Sequence, residues 1–274
     1  MGEWTFPERN PIVSYRVGVE FARALPAGTL RQLSARHAEF RRDLPRRVLQ
    51  QALTLQLGGA PVPQPQADVG GVVFDFVQPD GTIGRALSVV QQVASYMVAD
   101  YPRWVEFWPQ AERLLRPAIE LALAENIPVT ALILAANNRF AWSSAEESPD
   151  FTRAMRSDSG LVARHMLDCD GAAHSLHGYY KSHDAPKGQR LDNIMISSAK
   201  SASGSWDLDV NFAFRLTLHE PVRDIGTLFT ANDADDRPLL EQGLKSLHQL
   251  NNQLFRDIVA ESLVNRIPGL PGRC

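Results

Sequence analysis

The chain has 274 residues, 44% hydrophobic and 22% charged, with a formal net charge of −3. That length suffices for one large domain or two lobes sharing a core. No apolar run approaches the roughly 20 residues of a membrane helix, and the mild acidity gives no bulk attraction to nucleic acid.

Two cysteines, Cys169 and Cys274, form neither a disulfide framework nor a Cys-x-x-Cys metal motif. The polar start from Met1 to Asn10, with Glu3 and Glu8, lacks the basic and apolar parts of a secretory signal. A reduced, cytoplasmic setting is the expectation.

In chain order, Ile12 to Phe21 alternates as a first strand. Pro26 to Gly28 then turns into a helix, with Thr29 and Gln32 as a capping box and Pro45 as its stop. Val48 to Leu57, with Leu53, Leu55 and Leu57 alternating, favours a strand, and Gly58 to Gly71 reads as a loop. Val72 to Val77 and Ile83 to Val90 flank a Pro-Asp-Gly turn and predict a hairpin. Val93 to Val98 reads as its second strand continuing past a bulge.

Asp100 is a candidate cap for a long helix carrying Trp104, Phe107, Trp108, Ala111, Leu115 and Ala118. Pro109 and Pro117 should kink or interrupt it. Thr130 to Trp142 follows as a strand. Ser143 to Gly160 is polar and irregular, the expected boundary between halves.

Leu161 to Leu167 and Ala173 to Lys181 flank an Asp170-Gly171 turn and read as a hairpin. Leu191 to Ala199 and a Ser201 to Ser205 loop precede the clearest strand of the chain. There Leu208, Val210, Phe212, Phe214, Leu216 and Leu218 share one side and Asp207, Asp209, Asn211, Arg215 and Thr217 the other. A closing helix starts near Asp236 and Pro238, and Leu270 to Cys274 should fray.

The pattern implies an α+β fold with an extensive, mostly antiparallel sheet and about three main helices, in one or two lobes. The expected division is residues 1–142, a linker at 143–160, and a β-rich half at 161–274.

Four short marks run through the chain in order: Asn10-Pro11-Ile12-Val13 leading to Phe21; Tyr101, Trp104 and Phe107; Asn138-Arg139-Phe140; and Leu247-His248 with Phe255 and Leu263. On these the chain resembles a sporadically distributed bacterial protein family of uncharacterised function. Ala136 departs from the tyrosine expected there, which removes any role for an aromatic at that position. The resemblance implies a shared fold, a bacterial cytosolic setting and a mobile-element or defence context. It brings no catalytic residues.

The chemistry-bearing residues concentrate in two places. His165, Asp168, Cys169, Asp170, His174, His177, Tyr179, Tyr180 and His183 place four of the seven histidines within 19 residues. Imidazole–carboxylate pairs there could act as acid and base, or Cys169 as a nucleophile, in an enzyme or nucleotide-responsive effector. Yet His174 and His177 fall on opposite faces of a strand, no metal-binding spacing occurs, and a solvated, His-rich sheet edge is the favoured reading. Neither metal nor cofactor is expected.

Residues 1–66 hold nine Arg against five Asp or Glu, a local balance of 9 − 5 = +4. Arg36, Arg41, Arg42, Arg46 and Arg47 gather at the end of the first helix, where they could meet phosphate, nucleic acid or an acidic partner. A solvated helix end is the alternative. Arg139, beside Asn137 and Asn138 in an apolar strand, calls for a carboxylate such as Asp207 or Asp209.

No phosphate-binding glycine loop, nucleophile elbow or zinc ribbon is present. The leading expectation is therefore a non-enzymatic protein that recognises a macromolecular partner, most simply another protein, away from any membrane.

Overall fold

The computed structural model describes residues 2–6, 10–51, 68–144, 147–169, 171–202, 204–231 and 237–267. Its strands are β1 (Trp4–Thr5), β2 (Ile12–Phe21), β3 (Arg46–Gln51), β4 (Val69–Val77), β5 (Ile83–Val90), β6 (Val93–Val98), β7 (Val129–Trp142), β8 (Ala173–Asp184), β9 (Lys187–Lys200) and β10 (Trp206–Val222). The helices are α1 (Ala27–Ala35), α2 (His37–Phe40), α3 (Trp104–Ala124), α4 (Arg164–Asp168), α5 (Ile225–Phe229), α6 (Leu239–Ile258) and α7 (Glu261–Val264).

The strands form one sheet in the order β3-β4-β5-β6-β2-β7-β10-β9-β8, with β1 added on β7. This is the α+β architecture with three sizeable helices, α1, α3 and α6, that the patterning implies. β10 follows its alternation: Leu208, Val210, Phe212, Phe214 and Leu216 are buried while Asp207, Asp209, Asn211 and Arg215 stay half-exposed.

Contacts divide the chain into two compact units that interleave along the sequence. One comprises Met1–Tyr15, Leu134–Leu216 and Gln242–Cys274; the other comprises Arg16–Ile133 and Thr217–Glu241. The segment 143–160 falls inside the first unit, where a short turn at Phe151–Arg153 and a bridge from Met155 to Val259 tie it down.

The first unit is built around aromatics. Trp4 packs at 5.3 Å from Trp142 and 5.4 Å from Phe151, and its indole N–H donates to the Asp150 carbonyl. Phe140 stacks on Phe255 of α6.

In the second unit α1 and α3 pack on β4, β5 and β6. Leu30, Leu33, Phe40, Phe74, Leu87, Val89, Phe107, Leu114 and Leu115 are at most 1% exposed there. Phe40 meets Phe74 at 4.8 Å and Tyr96 stacks on Phe107 at 5.6 Å.

Five local expectations are corrected. Val93–Val98 does not extend β5: the chain reverses at Gln91-Gln92 and β6 pairs back, Val90 opposite Val93, with Gln91 at a φ of 54°. Gln carries no turn preference, so the hairpin leaves no mark. Leu161 to Leu167 is not a strand but contains α4, and β8 pairs with β9 instead, in unbroken register from Ala173↔Ser198 to Asp184↔Lys187.

α3 runs unbroken through Pro109 and Pro117, because its apolar face lies buried along its whole length. It starts after Arg103 without a side-chain cap, so Asp100 is not its cap. Nor is Thr29 a cap: α1 begins three residues earlier than a Thr29 cap would allow, after Pro26, and Thr29 is buried within it.

Val48 to Gln51, whose own pattern is ambiguous, belongs to β3. The expected strand at Leu53 to Leu57, most of the Gly58 to Gly71 loop, Asp170 of the turn, the start at Asp236 and the Leu270 to Cys274 end lie outside the described residues.

Candidate functional site

Arg139 stands on the solvent side of β7 and meets the carboxylate that its strand context demanded. Its Nε and Nη2 donate to Asp209 at 2.7 and 3.2 Å, and Asp207 lies 4.0 Å away. Burial, opposed by Arg139 and reinforced by Asp209, pushes the Asp207 carboxyl above the usual range. Asn137 bonds to Ser14 Oγ, and the buried Asn138 donates to the Val210 carbonyl. Asn138 therefore faces inward, and the Arg139 fork is filled by its own neighbour.

The arginine end is only partly open. Arg36 forks onto Glu39, Arg46 onto the buried Asp75 at 2.6 and 2.7 Å, and Arg47 donates to the Ser34 carbonyl. Arg41 and Arg42 are exposed, and their side chains make no hydrogen bond or ion pair among the described residues. Two open cations and one nearby aromatic, Phe40, whose ring is buried, make a thin anion surface.

The histidine segment does not converge. His165 Nε2 donates to the His174 carbonyl at 3.2 Å, His177 pairs with Ser175 Oγ at 2.9 Å, and His183 with Ser246 Oγ at 3.0 Å. His174 projects from the exposed side of β8. Cys169 is reduced, and its thiol donates weakly to the Met166 and Gly171 carbonyls. Asp168 faces Arg164 at 3.6 Å on the exposed side of α4.

Ser246 donates its proton to the Gly243 carbonyl at 2.7 Å, so it accepts from His183 rather than being deprotonated by it. Burial, aided by Arg190, depresses the His183 pKa. Among the described residues no three His, Cys, Asp or Glu side chains gather as metal ligands.

What the arrangement does present is an edge. Among the described residues β8 is the last strand of the sheet and pairs on one side only, with β9. On its outer face Leu176 is 65% exposed and Tyr180 66% exposed. Directly across on β9 lie Met195 and Leu191, both half-exposed, with Gly178 and Asn193 between the two apolar pairs.

Leu176 escapes a sequence reading, and Tyr180 is read only as a member of the histidine cluster, because both sit among polar residues that draw attention to chemistry. The apolar alternation Leu176-x-Gly178-x-Tyr180 opposite Leu191-x-Asn193-x-Met195 is the signal that carries them.

Among the described residues no helix is long and apolar enough to cross a membrane. Comparison with known proteins finds no matching family model and no matching curated protein.

Proposed function

We propose that this protein is a recognition module that binds an extended segment of another protein along β8. The observation that carries this reading is the exposure of Leu176 and Tyr180 on a strand that, among the described residues, pairs on one side only. Exposed flat edges invite strand addition, and soluble proteins ordinarily blunt them with charge, proline or a covering loop. Added strands gain affinity from backbone hydrogen bonds and selectivity from alternate side chains. Leu176 and Tyr180 stand about 13 Å apart along β8, so the partner would offer apolar residues about four positions apart.

No enzymatic activity is part of this reading, since the histidines take separate structural partners. The bacterial cytosolic setting, with a mobile-element or defence context, belongs to the same proposal and rests on the family resemblance.

The test is affinity capture from the native host with three forms of the chain. Wild type and Arg41→Glu/Arg42→Glu should retain the same stoichiometric protein, and Leu176→Lys/Tyr180→Lys should lose it while keeping the wild-type Tm. Equal capture by the edge variant contradicts the proposal. So does loss confined to the arginine variant, which would indicate an anionic partner, or self-association through β8 as the only interaction found.

A further inference from the structure

A cavity of about 440 Å³ lies in the second unit and shares no residue with the β8 edge. The ends of β4 and β6, the start of β5 and the first turns of α3 enclose it, and its volume is that of a small-molecule site. Its apolar lining includes Phe76 and Val98; its polar lining is Gln78, Arg85, Asp100 and Gln110.

Arg85 is the anchor. Its guanidinium lies 5.0 Å from the Phe76 ring centroid, which holds the group's plane. It is half-buried, yet among the described residues it makes no hydrogen bond or ion pair. Arg36, Arg46 and Arg113 of this unit pair with Glu39, Asp75 and Asp43, while Arg41 and Arg42, whose side chains are unpaired among the described residues, differ from Arg85 in being exposed. A partly desolvated cation left open at a cavity wall favours an anion, and its fork matches a carboxylate.

Asp100 lines the same cavity at its exposed rim without bridging to Arg85, and it too has no partner among the described residues. The amides of Gln78 and Gln110 are likewise unengaged and can each donate and accept. Gly84 leaves room for this arrangement, since a Cβ there would come within 3.0 Å of Gln78 Nε2.

We infer that this cavity binds a small zwitterion of the amino-acid class, with its carboxylate on Arg85, its ammonium on Asp100 and its polar atoms on Gln78 and Gln110. One positive wall, one negative rim and two amides complement a ligand with both charges. A phosphate dianion would meet repulsion from Asp100. The site is independent of the β8 edge, and its ligand could be bound whether or not a protein partner is.

The experiment is thermal shift followed by calorimetric titration of the full chain, with the standard amino acids, acetate and inorganic phosphate as separate probes. At least one amino acid should raise the Tm, as any ligand selective for the folded state does, while acetate and phosphate should not. Arg85→Met, which keeps the contact with Phe76, should weaken binding by about tenfold or more, the loss of one charge-assisted contact. Asp100→Asn, at an exposed position that folding tolerates, should also weaken it.

The inference is overturned if no amino acid binds, or if acetate or phosphate binds equally well. Undiminished binding by the folded Arg85→Met protein would overturn it too.

Discussion

Arg190 and Asp192 sit two residues apart on β9 and fork together on its inward side, with Asp192 wholly buried and Arg190 9% exposed. A spacing of two puts both on one face of a strand, so the pair lies next to Ile194 and Ile196 of the same face, in an otherwise apolar row. Tyr179 lies close enough for Asp192 to reinforce the upward push that burial gives its hydroxyl pKa.

Breaking this pair from one side leaves a buried charge alone. Asp192→Ala should cost about 3–5 kcal/mol in urea unfolding at neutral pH. Arg190→Met with Asp192→Leu should recover most of that loss, because apolar residues of similar volume replace a buried pair well. A single variant no less stable than the double would contradict the account.

His248 on α6 predicts a pH dependence. Its Nδ1 lies 2.8 Å from the Tyr15 hydroxyl and its Nε2 3.2 Å from the Asn252 amide. Burial, with a smaller push from Lys245, lowers its pKa from 6.5 to about 4. The unfolded chain therefore takes up the extra proton first as pH falls. Stability from this group is complete above about pH 6.5, is lost between 6.5 and 4, and is level below that. The loss should be on the order of 3 kcal/mol. Denaturant midpoints across this range should fall more steeply for wild type than for His248→Gln; parallel curves would remove His248 as the cause.

Gly18 marks the closest backbone approach in the second unit. A Cβ at this position would come within 2.3 Å of the Ala94 carbonyl oxygen and 2.8 Å of Ser95 Cα, atoms that cannot rotate aside. Gly18→Ala should therefore destabilise by about 1–3 kcal/mol through forced separation of β2 and β6, despite alanine's better strand propensity. A Tm equal to wild type would show that the strands separate freely.

Much of the fold was legible because burial enforces alternation. β10 could be read residue by residue, and the Arg139 clasp to Asp209 followed from one charge placed in an apolar strand. The β5–β6 reversal was not legible, since Gln91-Gln92 lacks the glycine or asparagine that marks tight turns.

α4 was misread because Leu161 to Leu167 is short and apolar enough to suit either period. That error placed β8 opposite the wrong segment and drew attention to the cluster of His165, His174 and His177. Once β8 pairs with β9, Leu176 and Tyr180 gain their cross-strand neighbours and the edge becomes visible. The cavity at Arg85 was illegible for another reason: its walls come from four separate elements, and no local spacing records their convergence.

The most direct measurement of the recognition edge is backbone hydrogen exchange with and without the captured partner. The account predicts that the β8 amides that point away from β9, between Ser175 and Lys181, slow by at least about tenfold on binding, as new strand hydrogen bonds close over them. Unchanged exchange along β8, with protection appearing elsewhere in the chain, would contradict it.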